Sequence, residues 1–344
     1  MTKIWFNRWF TTVAHYIELI RNNEDGAEFE VYGSHPNEDA LYLQYCDHAF
    51  VEPDISGEAY IEYCLQFCAD HNIEIFVPRK ENVLISKNLP EFQNIGVKVL
   101  VCDAELMALM DNKAAMYKSV LTKESEKKTS IVSIPDYVVV NNVADFKKAY
   151  RFLNKKGHTV CFKPVIGEGA NGFRVIKEGQ ETIEELLTEG VSRRISFKHA
   201  CSILSQQESF PDLMVLEYLD GYEYSIDCLA YDGELHLSIP RKKVEGRVRE
   251  LEDNKELLDI ARAIHREYKI DFISNIQVKF SNGVPKLLEI NPRMAGGLNI
   301  SCLSGVNIPY EAIKLLLHGN KQLLDLKPAL GIRASHIEKE VVLT

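Results

Sequence analysis

Apolar residues in the first third of the chain come in short runs separated by stretches with helical spacing. Residues 3–6, 28–32, 73–78 and 97–102 read as strands, and 11–21, 60–72 and 103–110 as helices with apolar side chains every three or four positions. Strands alternating with helices predict a parallel sheet joined by crossover helices, an α/β arrangement. A boundary falls near Asp111, and another helical stretch begins at Lys113; the polar run 122–130 reads as a solvated loop or a fraying helix end. From residue 159 the pattern changes to strands joined by tight turns: 159–166, 173–176, 214–219, 223–230 and 235–240, with Asp220-Gly221 and Asp232-Gly233 as turns. This second region is α+β in character.

Residues 275–293 read N-I-Q-V-K-F-S-N-G-V-P-K-L-L-E-I-N-P-R, a hairpin. If Ser281, Asn282 and Gly283 form a three-residue loop, alternation puts the odd-numbered residues of both strands on one face. Gln277, Glu289 and Asn291 then converge, backed by Ile276, Val278, Phe280, Leu288 and Ile290. A two-residue Asn-Gly loop would instead send Gln277 to the face opposite Glu289. Carboxylate and amide oxygens suit a hard cation that also touches phosphate, as magnesium does. Taken alone, the same letters also fit a solvent-facing hairpin ending at an Asn-Pro turn.

The strand 159–166 carries one lysine, Lys163, and runs into Gly167, Gly169, Ala170, Asn171 and Gly172 before another apolar stretch. The glycines spell G-x-G-x-x-G, but they lead into a β-branched strand, whereas a dinucleotide fingerprint opens a helix. No Gly-Lys-Ser/Thr closes it as a P-loop. A glycine loop between two strands makes a flap whose N–H groups can approach phosphates, with Lys163 as a point charge; a plain hairpin turn beside a surface lysine is the alternative. The segment 214–235 reads by itself as an ordinary meander with exposed Glu217 and Glu223. Basic residues gather at Arg241, Lys242, Lys243, Arg247 and Arg249, either an anion-facing loop or a solvated basic turn; Arg241, expected at the end of strand 235–240, is the strongest single candidate.

Composition narrows the setting. The chain has 344 residues, enough for two or three packed subdomains, and 40 Lys plus Arg against 50 Asp plus Glu, a net charge of -10 that argues against a general nucleic-acid surface. Its 8 cysteines form no CxxC pair and read as buried thiols in a reducing compartment. No stretch spans a bilayer and no signal peptide is expected, so a cytoplasmic protein without membrane partners is the default. A homodimer is plausible from base rates alone. The polar segment 178–211 reads as exposed helix, with a lid or partner surface as the alternative.

The order of a helix lysine, a strand-lysine-glycine flap, E-Y-L-D-G-Y-E-Y-S-I-D, then Gln277 with E-I-N-P-R resembles the ATP-grasp superfamily across essentially the whole chain. It looks closest to the branch of biotin carboxylase and carbamoyl-phosphate synthetase, and more narrowly resembles ATP-grasp proteins of tellurite-resistance gene clusters. The resemblance implies an ATP-grasp fold: a Rossmann-like pre-ATP-grasp domain over 1–111, a small lid subdomain over 112–213 and a large subdomain over 214–344. It implies that Lys113, Lys163 and the flap Gly167–Gly172 contact ATP phosphates, that Glu217, Tyr218 and Leu219 form the adenine hinge, and that Glu223 binds the ribose. Glu289, Asn291 and Gln277 would hold Mg2+, or Mn2+ in its place, with Gln277 standing where many members have a carboxylate. Arg293 would face the transferred phosphoryl group, and Arg241 would grip a substrate carboxylate or the phosphates. The implied activity is a ligase that activates a small-molecule carboxylate as acyl phosphate for attack by an amine. A small-molecule kinase of the same fold and a non-catalytic ATP-binding module remain the alternatives.

Overall fold

The computed structural model describes residues 1–167, 169–177, 179, 193–322, 325–337 and 340–342. The chain folds as two compact units: Met1–Met110 with Tyr222–Val278 and Ile290–Thr344, and Asp111–Gly221 with Lys279–Glu289.

The first unit begins with β1 (Thr2–Asn7), β2 (Phe29–His35), β3 (His48–Val51), β4 (Ile75–Val77) and β5 (Lys98–Val99), ordered β3-β2-β1-β4-β5. All four pairings are parallel, as the alternation of strands and helices requires. Helices Val13–Arg21 and Glu58–His71 supply crossovers. Trp5 shows why this sheet is stable: fully buried, it stacks on Phe67 and Phe76 with ring centroids 4.3 Å away in each case, and its indole N–H donates to Ser34 Oγ.

The second unit contains β6 (Tyr137–Val140), β7 (Val160–Pro164), β8 (Arg174–Ile176), β9 (Arg194–Ile195) and β10 (Leu213–Glu217), ordered β6-β10-β7-β8-β9. Strand β7 pairs antiparallel with β8, so the glycine loop does join two neighbouring strands. Phe146 and Phe162 pack edge to face at 5.4 Å at the centre of this unit's core, which helix Val143–Lys155 helps to build. Of the segment 178–211, residues 178 and 180–192 lie outside the described residues; a helix, Phe197–Leu204, lies beyond them, N-capped by Ser196.

A third sheet is ordered β15-β14-β11-β12-β13-β16, from β11 (Glu223–Tyr231), β12 (Glu234–Lys243), β13 (Arg249–Leu251), β14 (Phe272–Ser281), β15 (Val284–Asn291) and β16 (Ile332–Ala334). Most of it belongs to the first unit, and the tip of the β14–β15 hairpin to the second. In the first unit, Leu229, Leu237 and Ile239 of this sheet share one core with Ile4, Phe6 and helix Val13–Arg21. Helix Lys255–Tyr268 is N-capped by Asn254 and buries Leu257, Ala261 and Ile264.

Two expectations are corrected by the strands themselves. Strand β12 does not stop at Pro240 but runs to Lys243, so Arg241 lies inside a strand rather than in a basic loop. Proline lacks only a donor, and Pro240 is accommodated opposite Ile226. The hairpin loop is Asn282-Gly283 alone, because Ser281 stays in β14 and both loop residues take positive φ, 52° and 78°, the signature of a type I′ turn.

Candidate active site

In the second unit the site is built around Lys113. Asn112 caps helix Lys113–Lys127 by accepting from Ala115 N–H, which places Lys113 at the first helical position. A cation at the positive end of a helix is unfavourable by itself. Lys113 is nevertheless buried, its Nζ donating to the Gly167 carbonyl at 2.7 Å and lying 3.6 Å from Glu289 Oε2. A helix lysine, the first glycine of the flap and the hairpin carboxylate thus meet at one ammonium. Lys163 Nζ reaches the Leu288 carbonyl at 3.5 Å. The flap is tight where it closes: Gly172 has φ 72°, and a Cβ there would sit 2.8 Å from the Pro164 ring. Ala170 also takes positive φ, 60°, and its carbonyl accepts from Phe173 N–H.

The hinge candidate Glu217 is almost fully buried at the end of β10. Lys286 pairs with its Oε1, and His158 Nε2 lies 3.4 Å from its Oε2. The N–H groups of Glu217 and Tyr218 are occupied by the carbonyls of Asp136 and Thr159, and the Cys161 thiol donates to the Glu217 carbonyl. Leu219 is buried, and Lys279 Nζ lies 4.9 Å from the Tyr218 ring centroid. Asp136, His158 and Glu217 offer ligand atoms within 4.8 Å of one another. Lys156 and Lys286 already balance the two carboxylates, and the Lys156 hydrogen bond holds Asp136 below the usual carboxylate range. This group is a charge-balanced cluster beside the hinge candidate Glu217. Burial pushes the Cys161 thiol up to about 12.

In the first unit, the register of the third sheet sorts the other candidates onto a single face. Ser225 is paired with Arg241, which is paired with Leu251; Lys243 is paired with Arg249, which is paired with Ala334. Residues in register share a face and alternate along each strand, so Glu223, Asp227, Arg241, Lys243 and Arg249 lie together. Glu223 pairs with Lys243. Arg241 donates to Asp227 Oδ2 through Nε at 3.2 Å and Nη2 at 3.1 Å, while Ser301 Oγ reaches the same oxygen at 2.6 Å. Asn275 Nδ2 donates to Asp227 Oδ1 at 2.6 Å, and Gln277 Nε2 to Asn275 Oδ1 at 3.4 Å, which brings Gln277 onto this face. Arg293 Nη2 donates to Asn291 Oδ1 at 3.4 Å. Gly297 approaches Arg241 so closely that a Cβ would lie 2.7 Å from Nη1.

The two-residue turn changes which residues share a face of the hairpin. Strict alternation from Asn282-Gly283 would turn Gln277 and Glu289 to opposite sides. Strand β15 does not alternate strictly: Leu287 and Ile290, three apart, are both buried. The Tyr117 hydroxyl reaches the adjacent carbonyls of Leu287 and Leu288 at 2.7 and 3.2 Å, although successive carbonyls of a regular strand point opposite ways. Between Leu287 and Ile290 the strand therefore departs from the period of two.

Of the sequence candidates, Lys113, Lys163, Gly167–Gly172, Glu217, Tyr218, Leu219 and Glu289 belong to the second unit; Glu223, Arg241, Gln277, Asn291 and Arg293 belong to the first. Asp227, Asn275 and Ser301 escaped the sequence reading. Asp227 had a signal, since it stands at the parity of Glu223 within an otherwise apolar strand.

A parallel α/β sheet, a glycine-flap sheet and a sheet ending in E-I-N-P-R make up a fold that is shared with biotin carboxylase and N5-carboxyaminoimidazole synthetase structures. More particularly, residues 209–340 match the model of a family described as ATP-grasp in the biosynthetic pathway with Ter operon. Biotin carboxylase of Campylobacter jejuni, solved as a β,γ-ATP complex, superposes with a TM-score of 0.68 at 16% identity over 97% of this chain and 74% of that one. L-amino acid ligase of Bacillus licheniformis gives 0.64 at 12% identity over 92% and 74%. N5-carboxyaminoimidazole synthetase of Staphylococcus aureus gives 0.65 at 12% identity over 94% and 78%. No curated protein matches the sequence. Among the described residues, no helix is long and apolar enough to cross a membrane.

Proposed function

We propose that this chain is an ATP- and magnesium-dependent ligase that activates a small-molecule carboxylate as acyl phosphate for attack by an amine or similar nucleophile, with release of ADP and phosphate. The observation that carries this reading is Lys113, a buried ammonium held between the flap carbonyl of Gly167 and the Glu289 carboxylate. A lysine placed against the helix dipole gains from an incoming anion, and phosphate is the anion that a glycine flap can enclose. The donor set of Glu289, Asn291 and Gln277 is all oxygen and fits magnesium; when bound, the ion would neutralise phosphate charge.

Within this reading residues 1–111 are the pre-ATP-grasp domain, 112–213 the lid subdomain and 214–344 the large subdomain. Lys113 and Lys163 hold the phosphates under the flap. Glu217, Tyr218 and Leu219 hold the base, and Glu223 holds the ribose in exchange for Lys243. Arg293 faces the transferred phosphoryl group, and Arg241 grips a substrate carboxylate or the phosphates. Such chemistry requires positioned charge rather than a side-chain nucleophile. The free thiols support a reducing, cytoplasmic setting.

The test is ADP and phosphate release from the purified chain with magnesium ATP, pools of carboxylic and amino acids, and hydroxylamine as trap. A hydroxamate that depends on one acid is expected. Substrate-dependent ADP with neither phosphate nor hydroxamate would replace the ligase by a kinase, and ATP binding without turnover in any pool would favour a non-catalytic module.

A further inference from the structure

The cationic face of the third sheet holds one charge that the proposed reaction leaves unused. Arg241 and Lys243 each have a carboxylate, in Asp227 and Glu223. Arg249, half-buried on the same face, forms no ion pair among the described residues; its Nη1 donates to the backbone carbonyls of Gly246 at 3.3 Å and Val248 at 2.9 Å. Lysines and arginines often guard exposed sheet edges, but that role does not fit here, because β13 is paired on both sides, with β12 and β16. The opposing Ala334 leads two residues on to the exposed His336.

These cations disturb one another. Burial and the nearby Arg241 charge hold Arg249 below the usual arginine range, against the weaker opposing pull of Glu223. His336, exposed but partly desolvated, is lowered first by that partial burial and then by Arg249, Arg247, Arg241 and His15. Of these neighbours, Arg241 is paired with Asp227, and His15 lies 3.6 Å from Glu18. A half-buried Arg249 without a carboxylate partner among the described residues, close to the charge of Arg241, is favoured by an anion that joins it.

We propose that Arg249, with His336 beside it, is the specificity determinant for a second anionic group on the substrate, a carboxylate or phosphate distinct from the carboxylate that is activated. The substrate class is therefore a dianionic acid. The assignment of a carboxylate substrate rests on the ligase reading; the oxyanion site itself does not.

The test is a nuclear magnetic resonance titration of the His336 ring in the full chain, without nucleotide, in the presence of inorganic phosphate or of succinate. A bound oxyanion should raise the His336 midpoint by about one unit as repulsion is relieved. The Arg249→Gln variant should lose this response and Arg249→Lys should retain part of it, with a thermal melt confirming that both fold. The anion giving the larger shift identifies phosphate or carboxylate as the group recognised. In the ADP-release assay dianionic acids should outperform monoanionic ones, and Arg249→Gln should lower kcat/KM for the acid about tenfold through KM, leaving the KM for ATP unchanged. A His336 midpoint indifferent to both anions, or an equal response in Arg249→Gln, overturns the inference. An anion response without any ATP turnover would instead overturn the ligase reading and leave this site standing.

Discussion

Replacing Arg241 by methionine should destabilise the first unit severely. Asp227 is fully buried and Arg241 nearly so, and the pair is joined by two hydrogen bonds of 3.1 and 3.2 Å to one carboxylate oxygen. Without the guanidinium, Asp227 keeps only the neutral donors Ser301 and Asn275, each at 2.6 Å. An uncompensated buried carboxylate costs about 3–5 kcal/mol, whereas an exposed pair would cost under about 1 kcal/mol. Asp227→Asn combined with Arg241→Met removes both charges, so the double variant should be more stable than the sum of the single losses by about 2 kcal/mol or more. Both tryptophans of the chain, Trp5 and Trp9, are buried in this unit, so urea unfolding followed by tryptophan fluorescence reports it directly. A single-variant loss below about 1 kcal/mol, or strict additivity in the double variant, would refute the claim that this pair is a charge-neutral core element.

Other outcomes rest on the contacts already described and on two more. Lys113→Met should reduce kcat/KM for ATP by about tenfold to a hundredfold, the equivalent of one charged hydrogen bond, in steady-state ADP release; unchanged kinetics would remove Lys113 from the phosphate site. Gly221→Ala would put a Cβ 2.8 Å from the Phe280 carbonyl oxygen, and a loss of about 1–3 kcal/mol is expected by chemical denaturation. His265 is buried with Nδ1 at 2.9 Å from the Ala261 carbonyl and Nε2 at 3.0 Å from Ser274 Oγ, and burial lowers its pKa. The unfolded state therefore takes up a proton that the folded state resists. The stability contribution is fully present above the ordinary histidine value of 6.5 and is lost as pH falls towards the lowered folded value, by up to about 1.4 kcal/mol per pH unit. Urea midpoints across that range, with His265→Gln as the comparison, should diverge; parallel curves would contradict the assignment.

What the sequence disclosed depended on how local the signal was. Helix Val13–Arg21 and strands β1, β4 and β10 declare themselves through apolar spacing, and the order of motifs that resembles ATP-grasp proteins was legible because each motif is continuous. Strands β9, β13 and β16 span two or three residues each, too few for alternation to register, and they form only because a neighbour supplies hydrogen bonds. Arg241 was expected at a strand end because the apolar run stops at Pro240, whereas β12 continues through the polar residues to Lys243. The faces of the hairpin follow from a perfect period of two only if the loop has three residues, and the burial of both Leu287 and Ile290 has no signature in the letters. Asp227, Asn275 and Ser301 come from three separate segments, and their meeting is a property of register alone.

The two compact units are interlaced in sequence, since the chain passes between them at residues 110–111, 221–222, 278–279 and 289–290. Neither unit can be inherited, truncated or transplanted as a continuous piece of gene. A fusion or recombination junction at 221–222 or 278–279 divides both units, one at 110–111 or 289–290 divides the first, and Glu289 and Asn291, neighbours on one strand, would be parted by the last of these crossings. Each unit therefore depends on segments that the other separates along the chain.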